Sequence, residues 1–403
     1  MTTANFETKS SEQNQNEFNK PGYEKSKAEF AVPRLIGTDY TYKHKVVWKN
    51  AIGFLIMHIL ALWGLVLFIT GELSWKSFYY LLIFLIISAF IVGLFASEGV
   101  TIGAHRFYTH KSFKAVPALR AVFLIFQTMA GQNSMFIWCR DHRLHHRYSD
   151  TDGDPHNSKR GFFFCHIGWL MTKKHPYVIE LGRRIDMSDL QADWMVMFQK
   201  KYYYYLYLIF AVVIPVWVPV HFLGEPLFNS ILGCYFTRYI LQLNGTWLVN
   251  SLAHLYGTRP YDQKLQPVES WFVSMISLGE GWHNYHHAFP WDYKAAELTM
   301  HFNQSASIIR FFERIGLAYD LKTASPEMVS NRIVRTGDGT HYELGNEDAR
   351  AAVTAFGPVH PLNPTFNTTL DAPDAILKPQ GLPLFNDKDL LNLNVKQRAT
   401  RTG

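Results

Sequence analysis

Apolar positions in this chain gather into four long runs, with polar sequence between and around them. Residues 51–70 and 77–97 are runs of about 20, the length that carries a helix across roughly 30 Å of hydrocarbon. The short polar connector 71–76 makes them a helical hairpin. Residues 205–223 and 227–249 form a second hairpin around Gly224, Glu225 and Pro226. Pro215 and Pro219 in the third run are tolerated where neighbouring groups satisfy the freed backbone. A fifth stretch, 118–138, is nearly as apolar but carries Arg120, Gln127, Gln132 and Asn133, which argues against a crossing. Further on, Ile308, Ile309, Phe312 and Ile315 recur at helical spacing within 303–319 and are expected to pack as core. The ends are polar, with no signal peptide expected at the start. The pattern divides the chain into an N-terminal tail (1–44), an integral-membrane domain (45–336) and a C-terminal tail (337–403).

Histidines cluster beside these runs. They read His105-Arg106-Phe107-Tyr108-Thr109-His110, then His142-Arg143-Leu144-His145-His146, then His283-Asn284-Tyr285-His286-His287. Neutral imidazole is the commonest protein metal ligand. His142, His145 and His146 stand at i, i+3 and i+4, one helical face, and His283, His286 and His287 repeat that spacing. His105 and His110 are five apart, about 140° round an ideal α-helix, so the helix must end near them or they must serve different ions. Asn250 and His254, four apart just past the fourth run, add an amide and a ninth imidazole. His44, His58, His156, His166, His175, His221, His301, His341 and His360 are given no role. An all-nitrogen site suits zinc, copper, iron or nickel. Nine imidazoles are too many for one closed structural ion, and two ions with open positions imply oxygen or redox chemistry, for which iron is the favoured metal. Asp150, Asp152, Asp154 and Glu280 lie near enough in sequence to accept the remote imidazole N–H groups.

The clusters also fix topology. Were 118–138 a crossing, the first two clusters would lie some 30 Å apart on opposite faces. It is therefore read as buried in protein or lying in the interface. The expected fold is an all-α membrane protein, with four transmembrane helices in two hairpins and a helical domain on one face holding a histidine-rich di-metal site. Lys and Arg place that face, and both termini, in the cytosol. Residues 140–201 carry 11 of them, whereas the two opposite turns carry only Lys76. The net charge of +6 suits an anionic membrane face or substrate, and no basic stripe or reading helix points to nucleic acid. Three distant cysteines, Cys139, Cys165 and Cys234, fit a reducing compartment. A mean hydropathy of −0.07 averages apolar runs with polar tails and hides the membrane character.

Longer strings carry a resemblance: Gly103-Ala104-His105-Arg106, Arg140-Asp141-His142-Arg143-x-His145-His146-Arg147-Tyr148-Ser149, Asp152-x-Asp154-Pro155-His156-Asn157, Asn250-Ser251-x-x-His254 and Gly279-Glu280-Gly281-Trp282-His283-Asn284-Tyr285-His286-His287. From about Lys45 to Leu321 the chain resembles the membrane acyl-CoA fatty-acid desaturases of the stearoyl-CoA desaturase type. Arg259-Pro260-Tyr261-Asp262 and Pro267-Val268-Glu269-Ser270 look most like the insect members.

The resemblance implies an oxygen-dependent enzyme of the endoplasmic reticulum membrane. It would introduce a cis double bond into a saturated or monounsaturated fatty acyl-CoA, using O2 and two electrons from cytochrome b5 and its NADH-dependent reductase. Two irons would be held by nine histidines. One would take His110, His142, His146 and His286. The other would take His105, His145, His254, His283 and His287, with Asn250 acting through water. Asn133, Arg140, Asp141, Lys173 and Lys174 match or lie near head-group contacts, and Gln132, Trp138, Thr246 and Trp247 match positions around the acyl carbonyl and bend. Gly93 and Ser97 are expected to set tunnel depth. Two departures flank that tunnel: Phe107-Tyr108-Thr109 in the first cluster, and an acid, Glu98, where small or apolar residues are usual. The competing readings are a di-iron fatty-acyl hydroxylase, an acetylenase or conjugase, and a metal transporter; the last would need ionisable ligands inside its spans.

Overall fold

The computed structural model describes residues 36–70, 95–297, 302–347 and 350 and is mostly helical. Most of the second apolar run, including Gly93, lies outside the described residues. The first run forms helix α1, Trp48–Ile69. Its Leu55, Leu62 and Ile69 are 60%, 61% and 78% exposed, which suits a lipid-facing side. Ala61 and Leu67 are buried, and Gly64 packs so closely that a methyl group there would fall within 3 Å of the Leu232 carbonyl.

Helix α2, Gly99–Thr109, is wound as a π-helix, and almost all of it is buried. It lies against α3, Pro117–Ala130, where Leu119, Phe123, Leu124 and Gln127 are buried. The 118–138 stretch is thus not one continuous helix: α3 ends at Ala130, with one side buried. Gly131 (φ 67°) and Asn133 (φ 69°) break it by adopting left-handed backbone. A buried amide network holds the break: Gln127 Nε2 donates to the Asn133 carbonyl at 2.7 Å, and Gln199 Nε2 donates to Gln127 Oε1 at 2.7 Å. Beyond the break runs α4, Met135–Tyr148, which carries the second histidine cluster.

The third apolar run is α5, Tyr203–Phe222, which with α1 is long and apolar enough to cross a membrane. A π-turn over Leu208–Val213 precedes its prolines. The fourth run is also helical, from Leu227–Ser230 through a π-wound Ile231–Thr237 into α6, Arg238–Leu255. The third cluster opens α7, His283–Ala288. Helix α8, Gln304–Arg314, buries Ile309 fully and packs Ile308 and Phe312 against the core. Ile315, expected in that core, is 51% exposed, because the helix stops at Arg314 and the chain turns at Gly316 (φ 76°). Two short strands, β1 (Lys114–Ala115) and β2 (Ala318–Tyr319), pair antiparallel beside it.

Polar bonds anchor the described residues that flank this helical framework on either side. Thr38 is buried, and the Asp39 amide donates to Asp152 Oδ2 at 2.8 Å. Past α9, Pro326–Thr336, His341 is 2% exposed and its Nε2 lies 3.0 Å from Glu297 Oε2. These segments are anchored by polar bonds, so hydrophobic periodicity does not reveal them.

Candidate metal centre

Four helices bring the nine imidazoles together. His105, His110, His142, His146 and His286 place ligand-capable atoms within 4.8 Å of one another, and His145, His254, His283 and His287 do the same. α4 sends His142 and His146 to the first group and His145 to the second. α7 sends His286 to the first, and His283 and His287 to the second. The π winding of α2 resolves the five-residue spacing: each turn takes one more residue, and the His110 amide bonds back to the His105 carbonyl at 3.2 Å. The two rings then lie 4.9 Å apart, centroid to centroid. His105 belongs to the first group, not to the second as the resemblance implied, for its Nε2 is 2.9 Å from His286 Nε2.

The electrostatics suit a cation. Burial, then the neighbouring imidazoles, holds His110, His142, His146, His286 and His287 well below the ordinary histidine range, so they are neutral. The Nε2 atoms of His110, His142 and His254 are buried without a partner among the described residues. His286 Nε2 faces His105 Nε2 at 2.9 Å and His146 Nε2 at 3.0 Å. Neutral imidazole nitrogens crowded this closely present converging lone pairs, the donor set a borderline metal ion takes. The residues therefore fit a metal.

Carboxylates orient three of the rings. His105 Nδ1 lies 2.6 Å from Glu280 Oε2, and His145 Nδ1 lies 2.8 Å from Asp154 Oδ2. His254 Nδ1 is 3.2 Å from each oxygen of Asp150. Glu280 is held down to about 2: burial would raise it, but Arg106 and His105 overcome that. Asp152 does not join them. It pairs with Arg160 at 2.6 Å, tying the loop to residue 39. Two contributors escaped the spacing argument. Arg106 is buried and donates to Glu280, Tyr293 and Lys294. His156, whose ring lies 4.4 Å from that of His145, sits in the Asp154-Pro155-His156 string that already marked it.

The expected substrate residues fall into separate sets. Trp138 stacks on His142 at 4.9 Å, and its indole N–H donates to Gln132 Oε1 at 3.2 Å. Gln132 Nε2 donates to Thr246 Oγ1 at 2.9 Å. Trp247 packs instead toward α1, 5.7 Å from the Phe54 ring. Arg140 and Lys174 both bond Asp141, while the Lys173 carbonyl takes His44 Nδ1 at 3.0 Å. Asn133 holds the α3–α4 turn. Asn250 stands one turn before His254 on α6, and Ser97 is half-buried.

A helical protein with buried histidine groups able to hold metal, beside apolar helices, defines a membrane metalloprotein. The profile of the fatty acid desaturase family matches residues 81–310, and this chain belongs to that family. It is 45% identical over 327 residues to the acyl-CoA Delta-9 desaturase of Acheta domesticus, covering 81% of this chain and 88% of that one. It is 45% identical to the stearoyl-CoA desaturase of Homo sapiens (76% of this chain, 85% of that one) and 44% identical to the acyl-CoA Delta12-desaturase of Acheta domesticus (75% and 83%).

Proposed function

We propose that this protein is an oxygen-dependent acyl-CoA desaturase that puts a cis double bond into a fatty acyl-CoA, drawing electrons from cytochrome b5 and its reductase. The observation that carries the reading is the convergence of nine imidazoles as groups of five and four, in a chain of the desaturase family. Each group would hold one iron. Asn250, through a water, would complete the group of four. The reading includes four crossings, with the termini and the metal face in the cytosol and the protein in the endoplasmic reticulum membrane. Its support is the apolar run pattern, the basic 140–201 stretch and the closeness of histidines from both sides of the second hairpin.

A bound iron pair supplies the oxygen chemistry that breaks two unactivated C–H bonds. The chain does the rest. Glu280, Asp154 and Asp150 hold His105, His145 and His254 with Nδ1 outward and Nε2 inward. The Trp138–Gln132–Thr246 relay forms a rigid wall beside His142, against which two neighbouring carbons are positioned. Arg140 and Lys174, set around Asp141, offer cationic donors to the anionic head group. Burial of the imidazoles keeps bulk water from the reacting carbons.

Expression in a desaturase-deficient yeast tests this. Mass spectrometry of the acyl pool should find new unsaturated chains and locate the double bond. Hydroxylated chains without new unsaturation would point to a di-iron hydroxylase instead.

A further inference from the structure

The fourth apolar run carries a row of polar side chains that an ordinary membrane helix does not need. On α6, Arg238, Gln242, Thr246, Asn250 and His254 recur at every fourth residue, so each lies over the next in a row that winds about 40° per step. The row ends in the second imidazole group. At its far end Arg238 is buried, donating Nε to the Cys234 carbonyl at 3.0 Å and an NH2 nitrogen to the Ala211 carbonyl at 3.1 Å.

Gln242 is clamped between them. Its Oε1 accepts from Arg238 at 3.2 Å, and its main-chain carbonyl accepts from Thr246 Oγ1 at 3.2 Å. That leaves Nε2, which carries both side-chain amide hydrogens. This nitrogen is shielded from solvent and has no partner among the described residues. A buried donor without an acceptor is costly, more so in a segment read as spanning a membrane. Rotating the amide would only set an N–H against the guanidinium, so Arg238 fixes which end faces away.

The position of this donor matters. Thr246 is tied through Gln132 to Trp138, which stacks on His142. Gln242 lies one helical turn, about 5.4 Å, further from the metal centre along the same face. An acyl chain leaving the centre along this wall meets Thr246 first and Gln242 second. A saturated polymethylene chain has nothing to accept an N–H, whereas a carbon–carbon double bond offers a π face.

Resting on the acyl-CoA desaturase reading, we propose that Gln242 is a specificity-determining residue. Its side-chain N–H meets the π face of a double bond already present on the methyl side of the reacting carbons, so the favoured substrate is a monounsaturated acyl-CoA.

The test uses microsomes containing the full chain. Stearoyl-CoA competes with a panel of monounsaturated acyl-CoAs of equal length, the double bond stepped along the chain. The ratio of kcat/KM values is read for the natural protein, Gln242→Leu and Gln242→Glu. Glutamate keeps an acceptor for Arg238 and removes the N–H donor, so it separates recognition from simple support of the helix. The natural protein should prefer one position of unsaturation by about two- to five-fold, and both variants should bring that ratio to about one. A natural ratio of one or less at every position overturns the proposal, as does a preference that survives in Gln242→Glu. Natural protein that forms no further double bond in any acyl-CoA sinks the desaturase reading, and this inference with it.

Discussion

His105 Nδ1 stands 2.6 Å from Glu280 Oε2, while Glu280 Oε1 accepts from Arg106 at 2.6 Å. One carboxylate therefore aims a ring of the first imidazole group and is itself held by the residue next in sequence to that ring. Replacing Glu280 by Gln keeps the shape and removes the charge that orients His105. Metal affinity or turnover should fall about 10- to 100-fold, read as iron per chain and as product formed at fixed iron.

Arg106 is 1% exposed and spans Glu280 and the carbonyls of Tyr293 and Lys294. Arg106→Met leaves an uncompensated buried carboxylate, a loss of about 3–5 kcal/mol. Thermal unfolding of the purified protein should show a large fall in Tm. A Tm unchanged by the substitution contradicts the role given to this pair.

Glu98 has one oxygen bonded by Thr101 at 2.8 Å and Ser305 at 2.7 Å, and another buried without a partner among the described residues. Burial raises it to about 7, against the pull of Ser305, Thr101 and Arg106. The folded chain thus keeps a proton that the unfolded chain gives up near 4.5. The stability this contributes is complete below that pH and is lost as pH rises towards 7. Glu98→Gln mimics the neutral acid. Its Tm should match that of the natural protein at the acid end and exceed it above pH 7, where the variant is more stable by about 3 kcal/mol.

The 140–201 stretch, which carries the second histidine cluster, also carries Lys173, Lys174, Arg183, Arg184, Lys200 and Lys201. If an acidic electron donor docks there, added salt should slow electron transfer steeply. Stopped-flow reoxidation of cytochrome b5 measures this, and a rate indifferent to ionic strength argues against docking on this face.

Much of this centre was legible in the sequence, since two i, i+3, i+4 histidine triplets dictate two shared faces in any helix. Rings from one triplet divide between two groups because neighbouring residues on a face still point about 100° apart for each step of sequence. What spacing did not disclose was backbone winding. Only the π form of Gly99–Thr109 brings His110 round to His105, and nothing in residue type announces that winding. The break at Gly131 and Asn133 needed left-handed backbone at both, which glycine adopts freely and asparagine tolerates, but neither residue type alone fixes where a helix stops. Arg106 looked like an ordinary basic neighbour of a histidine. Its burial follows from Glu280, which is 174 residues away in sequence.

Metal analysis of the purified chain tests the central claim most directly. The grouping of five and four imidazoles predicts two irons per chain, with His142→Ala and His283→Ala each depleting one of them and abolishing product. Natural protein that is active with a single ion, or a variant that keeps both irons and full activity, would contradict it.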